Sequence, residues 1–123
     1  MLIKTYEDLE VFQSAYKNAM IIFQLTKKYP KEERYALTDQ IRRSSRSVCA
    51  NISEAFRRRR YEKSFALRLN DAEAEASETQ VWIKFSYDCG YIDKRTMADI
   101  LGAYDNIIGK IVVMIKQAYK WKI

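Results

Sequence analysis

The sequence predicts an all-α fold, in which residues 1–123 form a single domain, an antiparallel up-down-up-down four-helix bundle. Two observations predict this class. Only three glycines and one proline occur, so the chain has few residues suited to the turns of β-hairpins. Apolar residues recur at spacings of three and four along four segments, which is the period of a helix face. A chain of 123 residues also buries a core large enough to fold without disulfides or a metal.

The first predicted helix follows Asp8, a candidate N-cap, and ends before Pro30, because proline lacks a backbone donor and restricts the residue before it. Its apolar residues form two stripes on different sides of the helix. One stripe is enough for a monomeric bundle, so the second stripe predicts a further partner and indicates an oligomer. The first stripe is Leu9, Phe12, Tyr16, Ala19, Phe23 and Thr26, and the second is Val11, Ala15, Ile22, Leu25 and Tyr29.

The second predicted helix opens near residues 33–35 and carries one apolar stripe. Arg42, Arg43 and Arg46 lie outside this stripe. Four small residues would let a neighbouring helix approach closely: Ser44, Ser45, Ser47 and Ala50. The predicted core stripe is Leu37, Ile41, Ser44, Val48, Ile52 and Ala55.

The third and fourth predicted helices are separated by a stop at Gly90 in the left-handed conformation. Ile92 supplies the apolar contact that accompanies such a stop, and Asp93 is the predicted N-cap of the fourth helix. Because the connection is short, we expect the two helices to be antiparallel. The core stripe of the third helix is Phe65, Leu69, Ala72, Ala76 and Ile83, with Leu67, Ala74, Val81 and Phe85 on an adjacent line.

In the fourth predicted helix, apolar residues again recur at spacings of three and four residues. Gly102 and Gly109 lie seven residues apart on one of its faces. Each glycine costs ~1 kcal/mol relative to alanine in a helix, so the pair predicts close contact with another helix. The predicted stripe is Met97, Leu101, Tyr104, Ile108, Ile111, Ile115 and Ala118.

The composition argues against an enzyme and against a cofactor. No histidine occurs, which removes the commonest general base and metal ligand, and no glycine-rich phosphate loop opens a helix. Asp71, Glu75 and Glu78 share one face of the third helix and could hold the cation of a metal-dependent nuclease. The favoured interpretation of these carboxylates is a solvated helix face or ion pairs with arginines of a neighbouring helix. Cys49 and Cys89 are interpreted as small buried thiols.

The sequence predicts a cytoplasmic protein with no membrane partner. Acidic residues near the N-terminus interrupt the apolar run that a signal peptide requires. No later stretch approaches the ~18 apolar residues of a membrane-spanning helix.

Positive charge is concentrated in one region of a chain whose formal net charge is +6. Between residues 42 and 68, nine cationic residues are opposed only by Glu54 and Glu62. Adjacent guanidinium groups repel one another unless anions relieve the repulsion, and the planar fork of arginine suits phosphate oxygens. A nucleic-acid backbone, RNA or DNA, is therefore the first candidate ligand, with a solvated loop and an acidic protein partner as the alternatives. The predicted nucleic-acid-binding residues are Arg42, Arg43, Arg46, Arg57, Arg58, Arg59, Arg60 and Lys63.

The C-terminal segment combines Tyr119 and Trp121 with Lys116, Lys120 and Lys122. Such residues can stack on single-stranded nucleic acid and pair with its phosphates. A helix end whose lysines compensate the helix dipole is the favoured interpretation.

Two sequence blocks carry a resemblance to a known family. They are Gln-Ile-Arg-Arg at residues 40–43 and Asn-Ile-x-Glu at residues 51–54. With residues 6–9, 29–35, 77–80 and 90–92, they make the chain similar, nearly end to end, to the four-helix-bundle proteins associated with bacterial 23S rRNA intervening sequences.

This resemblance implies an all-α bundle that is one subunit of a ring-like homo-oligomer, a homopentamer. It also implies similarity to the accessory protein of diversity-generating retroelements, which forms a pentameric barrel and binds nucleic acid and a reverse transcriptase. Most family members have no established activity. This chain has Ala55 where many members have glycine, Arg57 where a small residue is common, and Ser53 in place of the usual alanine. The junction between helices two and three is thus expected to be stiffer and more basic here.

Overall fold

The computed structural model describes residues 3–122, and these residues form four long helices. No strand occurs in this range, so the predicted all-α class is confirmed. Within the same range, no helix has both the length and the apolar character needed to cross a membrane. The elements are a 3₁₀ turn (Tyr6–Asp8), α1 (Glu10–Thr26), a second 3₁₀ turn (Lys31–Glu33), α2 (Leu37–Arg57), α3 (Glu62–Asp88), α4 (Lys94–Lys116) and the short α5 (Ala118–Trp121).

Each long helix packs against the next one along the chain, and α1 also packs against α4, which is consistent with a four-helix bundle. The seam between α2 and α3 is the most extensive. Small residues allow this close approach, because the buried hydroxyls of Ser44 and Thr79 meet across it at 2.8 Å. The prediction that small residues of helix two permit close packing is therefore confirmed at Ser44, whereas Ala50 is exposed.

The connection between α3 and α4 follows the predicted stop signal. Gly90 has φ +81°, in the left-handed region where glycine is favoured. The amide of Tyr91 donates to the carbonyl oxygen of Ser86 at 2.9 Å, which closes the last turn of α3. Ile92 packs against the core, and the Asp93 carboxylate accepts a hydrogen bond from the Thr96 amide at 2.7 Å.

Two predicted helix starts differ from the structure. Leu9, rather than Asp8, is the N-cap residue of α1. Asp8 instead accepts hydrogen bonds from the amides of Lys4 and Thr5 at 2.8 and 3.0 Å, and these bonds lower the pKa of its carboxyl. The second helix starts at Leu37, a few residues later than predicted, because the 3₁₀ turn after Pro30 and a further turn come first.

The core stripes of α2 and α3 are confirmed. In α2 the stripe from Leu37 to Ala55 is buried along its whole length. In α3 the stripe from Phe65 to Ile83 is also buried, whereas the adjacent line at residues 67, 74, 81 and 85 is exposed. The bundle therefore uses only one of the two apolar lines on α3.

The core stripes of α1 and α4 are only partly as predicted. In α1 the second stripe faces the core, while Tyr16 from the first stripe is exposed. In α4 Tyr104 and Ile111 are buried as predicted, but Leu101, Ile108 and Ile115 only flank the core. These helices carry apolar residues on several adjacent lines, so spacing alone did not select the buried one. The other buried apolar residues of α4 are Ile100, Ile107 and Met114.

Two further predictions are wrong within the described chain. A Cβ atom added at Gly102 or Gly109 would meet nothing within 4 Å, so these glycines do not mark close contact between helices of one chain. Cys49 is buried, and burial raises the pKa of its thiol to about 11, but Cys89 is exposed. Cys89 is the C-cap residue of α3, beyond the part of the helix that packs in the core.

Candidate nucleic-acid interface

The predicted arginines do not form one compact cluster. Arg42, Arg46 and Arg57 lie on one side of α2 at ~100° per residue, and they are spread over about 22 Å of its length at ~1.5 Å per residue. Arg43 lies on the side of α2 that faces α3. Residues 58–60 lie in the turn after α2. The structure therefore divides the predicted site into a row along α2 and a group at the α2–α3 turn.

At one end of the row, three cationic side chains surround a single aromatic ring. The guanidinium carbons of Arg42 and Arg46 lie 4.8 and 5.7 Å from the centroid of the Phe23 ring, and the Lys27 ammonium lies 4.9 Å from it. Arg42 also donates from Nε to the Thr26 hydroxyl at 2.8 Å. Attraction to the ring face holds these cations together without neutralising their charge.

Arg43 is neutralised by α3. Its Nη2 atom lies 2.9 Å from Oε2 of Glu78, and its Nη1 atom lies 3.7 Å from Oε2 of Glu75. An arginine that already contacts two carboxylates has less to gain from a phosphate. Arg43 is therefore the predicted site residue that the structure separates most clearly from the others.

The turn between α2 and α3 contains both engaged and free cations. Arg58 lies 3.3 Å from a carboxylate oxygen of Glu54. Arg59 donates to the carbonyl oxygen of Phe56 at 2.8 Å and lies 3.8 Å from the centroid of the Phe56 ring. The remaining predicted residues are exposed and have no ion pair within residues 3–122. These four free cations are Arg46 and Arg57 on α2, Arg60 in the turn and Lys63 in the first turn of α3.

The three carboxylates on α3 form ion pairs with arginines; the prediction of an arginine on a neighbouring helix is confirmed for Glu75 and Glu78, whereas Asp71 pairs within α3. Asp71 lies 3.3 Å from Arg68, while Glu75 and Glu78 face Arg43. Burial raises the pKa of Glu75, the charge of Glu78 raises it further, and Arg43 opposes both effects. No group of three potential metal ligands is assembled anywhere in the described chain.

A groove that the sequence did not predict runs between α1 and α2, and we call it the aromatic groove. One part has a volume of about 440 Å³ and is lined by aromatic residues of the first stripe on helix one and by Arg46. It continues past Tyr6 into a second part of about 560 Å³, which is lined by Lys4, Arg57 and Arg59. The available signal was the presence of two apolar stripes on α1, which indicated a partner but not its type: the second stripe faces the core, and aromatic residues of the first line this groove. The rings that line or edge this groove are Tyr6, Phe12, Tyr16 and Phe23.

The C-terminal segment behaves largely as a helix end. Trp121 stacks against the buried ring of Phe65, with centroids 6.2 Å apart, so this indole contributes to packing. Tyr119 is exposed, and the Lys120 ammonium lies 5.9 Å from the centroid of its ring.

Two comparisons place the chain among known proteins. The profile of the family described as 23S rRNA-intervening sequence protein matches residues 7–113. A solved structure from Bacteroides thetaiotaomicron, described as a protein with unknown function from the S23 ribosomal protein family, is similar with a TM-score of 0.77 and 29% sequence identity. That similarity covers 86% of this chain and 95% of the other. No protein of curated function matches the sequence.

Proposed function

The chain belongs to the 23S rRNA-intervening sequence protein family, and from this premise we propose that it is a non-catalytic protein that binds the phosphate backbone of RNA or DNA. The proposal depends on one observation. Four exposed cations, Arg46, Arg57, Arg60 and Lys63, have no ion pair within residues 3–122. A guanidinium or ammonium group that is free of carboxylates can form charge-assisted hydrogen bonds to phosphate oxygens.

The charge balance of the whole chain supports the same ligand class. The formal net charge of +6 favours association with polyanions. Contact with the backbone alone would give affinity without reading a base sequence, so we propose no sequence-specific recognition.

We also propose that the functional form is a homopentamer. The exposed apolar line on α3 supports an oligomer, because Leu67, Val81 and Phe85 are 64%, 45% and 52% exposed in the single chain. Five copies would carry a net charge of about +30, five times the +6 of one chain. Weak phosphate contacts on each copy would then act together on one nucleic acid.

Fluorescence anisotropy with labelled RNA and DNA at increasing salt tests the nucleic-acid function. We expect log Kd to depend linearly on log salt, with a slope of about 0.7 to 0.9 for each phosphate contacted. A variant with Arg46, Arg57, Arg60 and Lys63 changed to alanine should bind more weakly and with a flatter slope.

The matched control removes the same charge from other exposed sites. Changing Lys31, Arg34, Lys84 and Lys94 to alanine also lowers the net charge by four but spares the row and the α2–α3 turn. If both variants lose affinity equally, only overall charge matters. If wild type binds neither nucleic acid, the proposal fails. A partner that the chain then captures from nuclease-treated lysate, and that the four-cation variant does not capture, would make an acidic protein the ligand instead.

A further inference from the structure

We propose, on the basis of the nucleic-acid function above, that the aromatic groove binds a single-stranded segment of nucleic acid. Its bases would stack on the aromatic rings along α1, of which Tyr16 is exposed, while its phosphates contact the cations along α2. This assigns both a form of ligand and a binding surface to the protein.

The aromatic rings of the groove are only partly covered by the core: Tyr6 and Phe12 pack against its edge and stay partly buried, and Tyr16 is exposed. Val11, Ala15 and Ile22 provide the buried face of α1, whereas Tyr16 is 55% exposed. The rings of Tyr6 and Phe12 meet edge to face, with centroids 4.8 Å apart, so Phe12 is held in place from one side. Stacking of a base on such a ring contributes ~1–3 kcal/mol and tolerates any base.

The ring series is continuous along α1. The centroids of Phe12 and Tyr16 are 6.0 Å apart, and Met20 lies one turn further on and is 44% exposed. Phe23 follows, with Arg42 and Arg46 over its ring. A strand lying along this series would therefore pass from stacking surfaces to a concentrated positive charge.

The charges that line the groove have the sign that a phosphate backbone requires. Lys4, Arg46, Arg57 and Arg59 line its two parts. Glu54 is the single carboxylate among the lining residues of those two parts, and it is already neutralised. Arg58 and Arg68 lie 3.3 and 3.6 Å from its Oε1 atom.

A larger groove between α1 and α4 has the opposite charge. It has a volume of about 770 Å³, and Asp8, Glu10 and Asp105 lie along it. Lys110, which also lines it, forms an ion pair with Glu10 at 3.0 Å. Phosphates would be repelled there, so size alone does not decide which groove suits the ligand.

The combination of rings and cations favours an unpaired strand over a duplex. In a duplex the bases are stacked on one another, and only the backbone and the groove edges can reach a protein. Rings inside a concave groove would then contribute nothing. Unpaired bases can enter the groove and replace the water over these rings.

The test compares Tyr16 variants with labelled oligonucleotides of about 16 nucleotides. The probes are single-stranded RNA, single-stranded DNA and a duplex of the same length. Loss of one base stack should weaken single-strand binding by about 5-fold or more in Tyr16→Ala and Tyr16→Leu. Tyr16→Phe keeps the ring and should keep the affinity, and duplex binding should not change in any of them.

Tyr35→Ala is the matched control, because Tyr35 is 83% exposed and lies in the turn before α2. It should leave all affinities unchanged. Photocrosslinking of a 4-thiouridine strand should label Tyr6, Phe12 or Tyr16, and labelling confined to α3 would overturn the proposal.

The outcomes separate the groove from the general function. If wild type binds nucleic acid but Tyr16→Ala and Tyr16→Leu bind single strands normally, the groove proposal is wrong and the backbone proposal stands. If wild type binds no nucleic acid, both are wrong. If Tyr16→Ala instead changes the mass of the particle by light scattering, the groove is an interface between copies and the proposal is overturned. A preference between RNA and DNA, with the variants behaving as expected, supports the proposal and identifies the strand type.

Discussion

Apolar side chains are exposed on two long faces of the bundle, and the two faces differ in the state of the charges beside them. On the aromatic groove, Tyr16 and Met20 are accompanied by Arg46 and Arg57, which have no ion pair within the described residues. On the exposed apolar line of α3, formed by residues 67, 74, 81 and 85, the neighbouring carboxylates are already paired with arginines.

This difference distinguishes two kinds of partner. An exposed apolar surface with free cations suits a polyanion that has flat, stackable groups. An exposed apolar line whose flanking charges are paired suits a protein surface, since little charge has to be desolvated when it is covered. We therefore expect nucleic acid on the α1–α2 face and a second copy of the chain on the α3 face.

The largest expected effect is the loss of assembly when the α3 line is charged. A Val81→Glu, Phe85→Glu double variant should convert a particle of about 73 kDa, five times the 14.6 kDa chain, into monomers. Both side chains are exposed in the single chain, so the bundle itself should still fold. Light scattering on a sizing column measures the mass, and Met20→Glu on the other face is the control that should remain assembled. An unchanged mass in the double variant would exclude this line as the interface.

A smaller effect should separate paired from free arginines on the same helix. Arg46→Ala removes a free cation and should weaken nucleic-acid binding about 10-fold, the equivalent of ~1.4 kcal/mol for one charged hydrogen bond. Arg43→Ala removes an arginine that faces Glu75 and Glu78, so its affinity should stay within about 2-fold of wild type. Anisotropy titrations at one salt concentration measure both. Equal losses in the two variants would show that pairing with α3 does not determine which arginines bind.

The sequence predicted the fold best where apolar and polar residues alternate clearly. On α2, arginines and other polar residues separate the apolar positions, so one stripe stands out, and it is buried as predicted from Leu37 to Ala55. On α4, Ile107 and Ile108 are adjacent and both are apolar, so either could face the core by spacing alone. Packing against α1 and α3 decides between them, and only Ile107 is fully buried.

The candidate site was predictable in composition but not in arrangement. The sequence shows that the positive charge lies between residues 42 and 68. It does not show that Arg43 faces carboxylates of α3 while Arg46 faces the Phe23 ring of α1, because the two arginines are only three residues apart on one helix. Their different roles depend on which neighbouring helix lies opposite, and this is a property of tertiary packing. The aromatic groove has the same origin, since the rings of α1 and the cations of α2 meet only in the folded bundle.

The smallest expected effect concerns Glu75, a carboxylate of α3 that faces Arg43, and it depends on pH. Burial raises the pKa of Glu75, so its protonated form contributes stability that is fully present below the ordinary value of 4.5 and is lost as the pH rises through the raised pKa. Near pH 7 the ionised carboxylate is therefore unfavourable, although Arg43 lies 3.7 Å away. Glu75→Gln should increase the free energy of unfolding at pH 7 by less than about 1 kcal/mol, which raises the midpoint temperature of thermal unfolding. The gain should shrink towards pH 4. Glu73→Gln makes the same charge change on the same helix, at a residue with no ion pair within residues 3–122, and should give no gain at either pH. Calorimetry at the two pH values measures the difference, and a destabilised Glu75→Gln variant at pH 7 would mean that the contact with Arg43 outweighs the cost of burial.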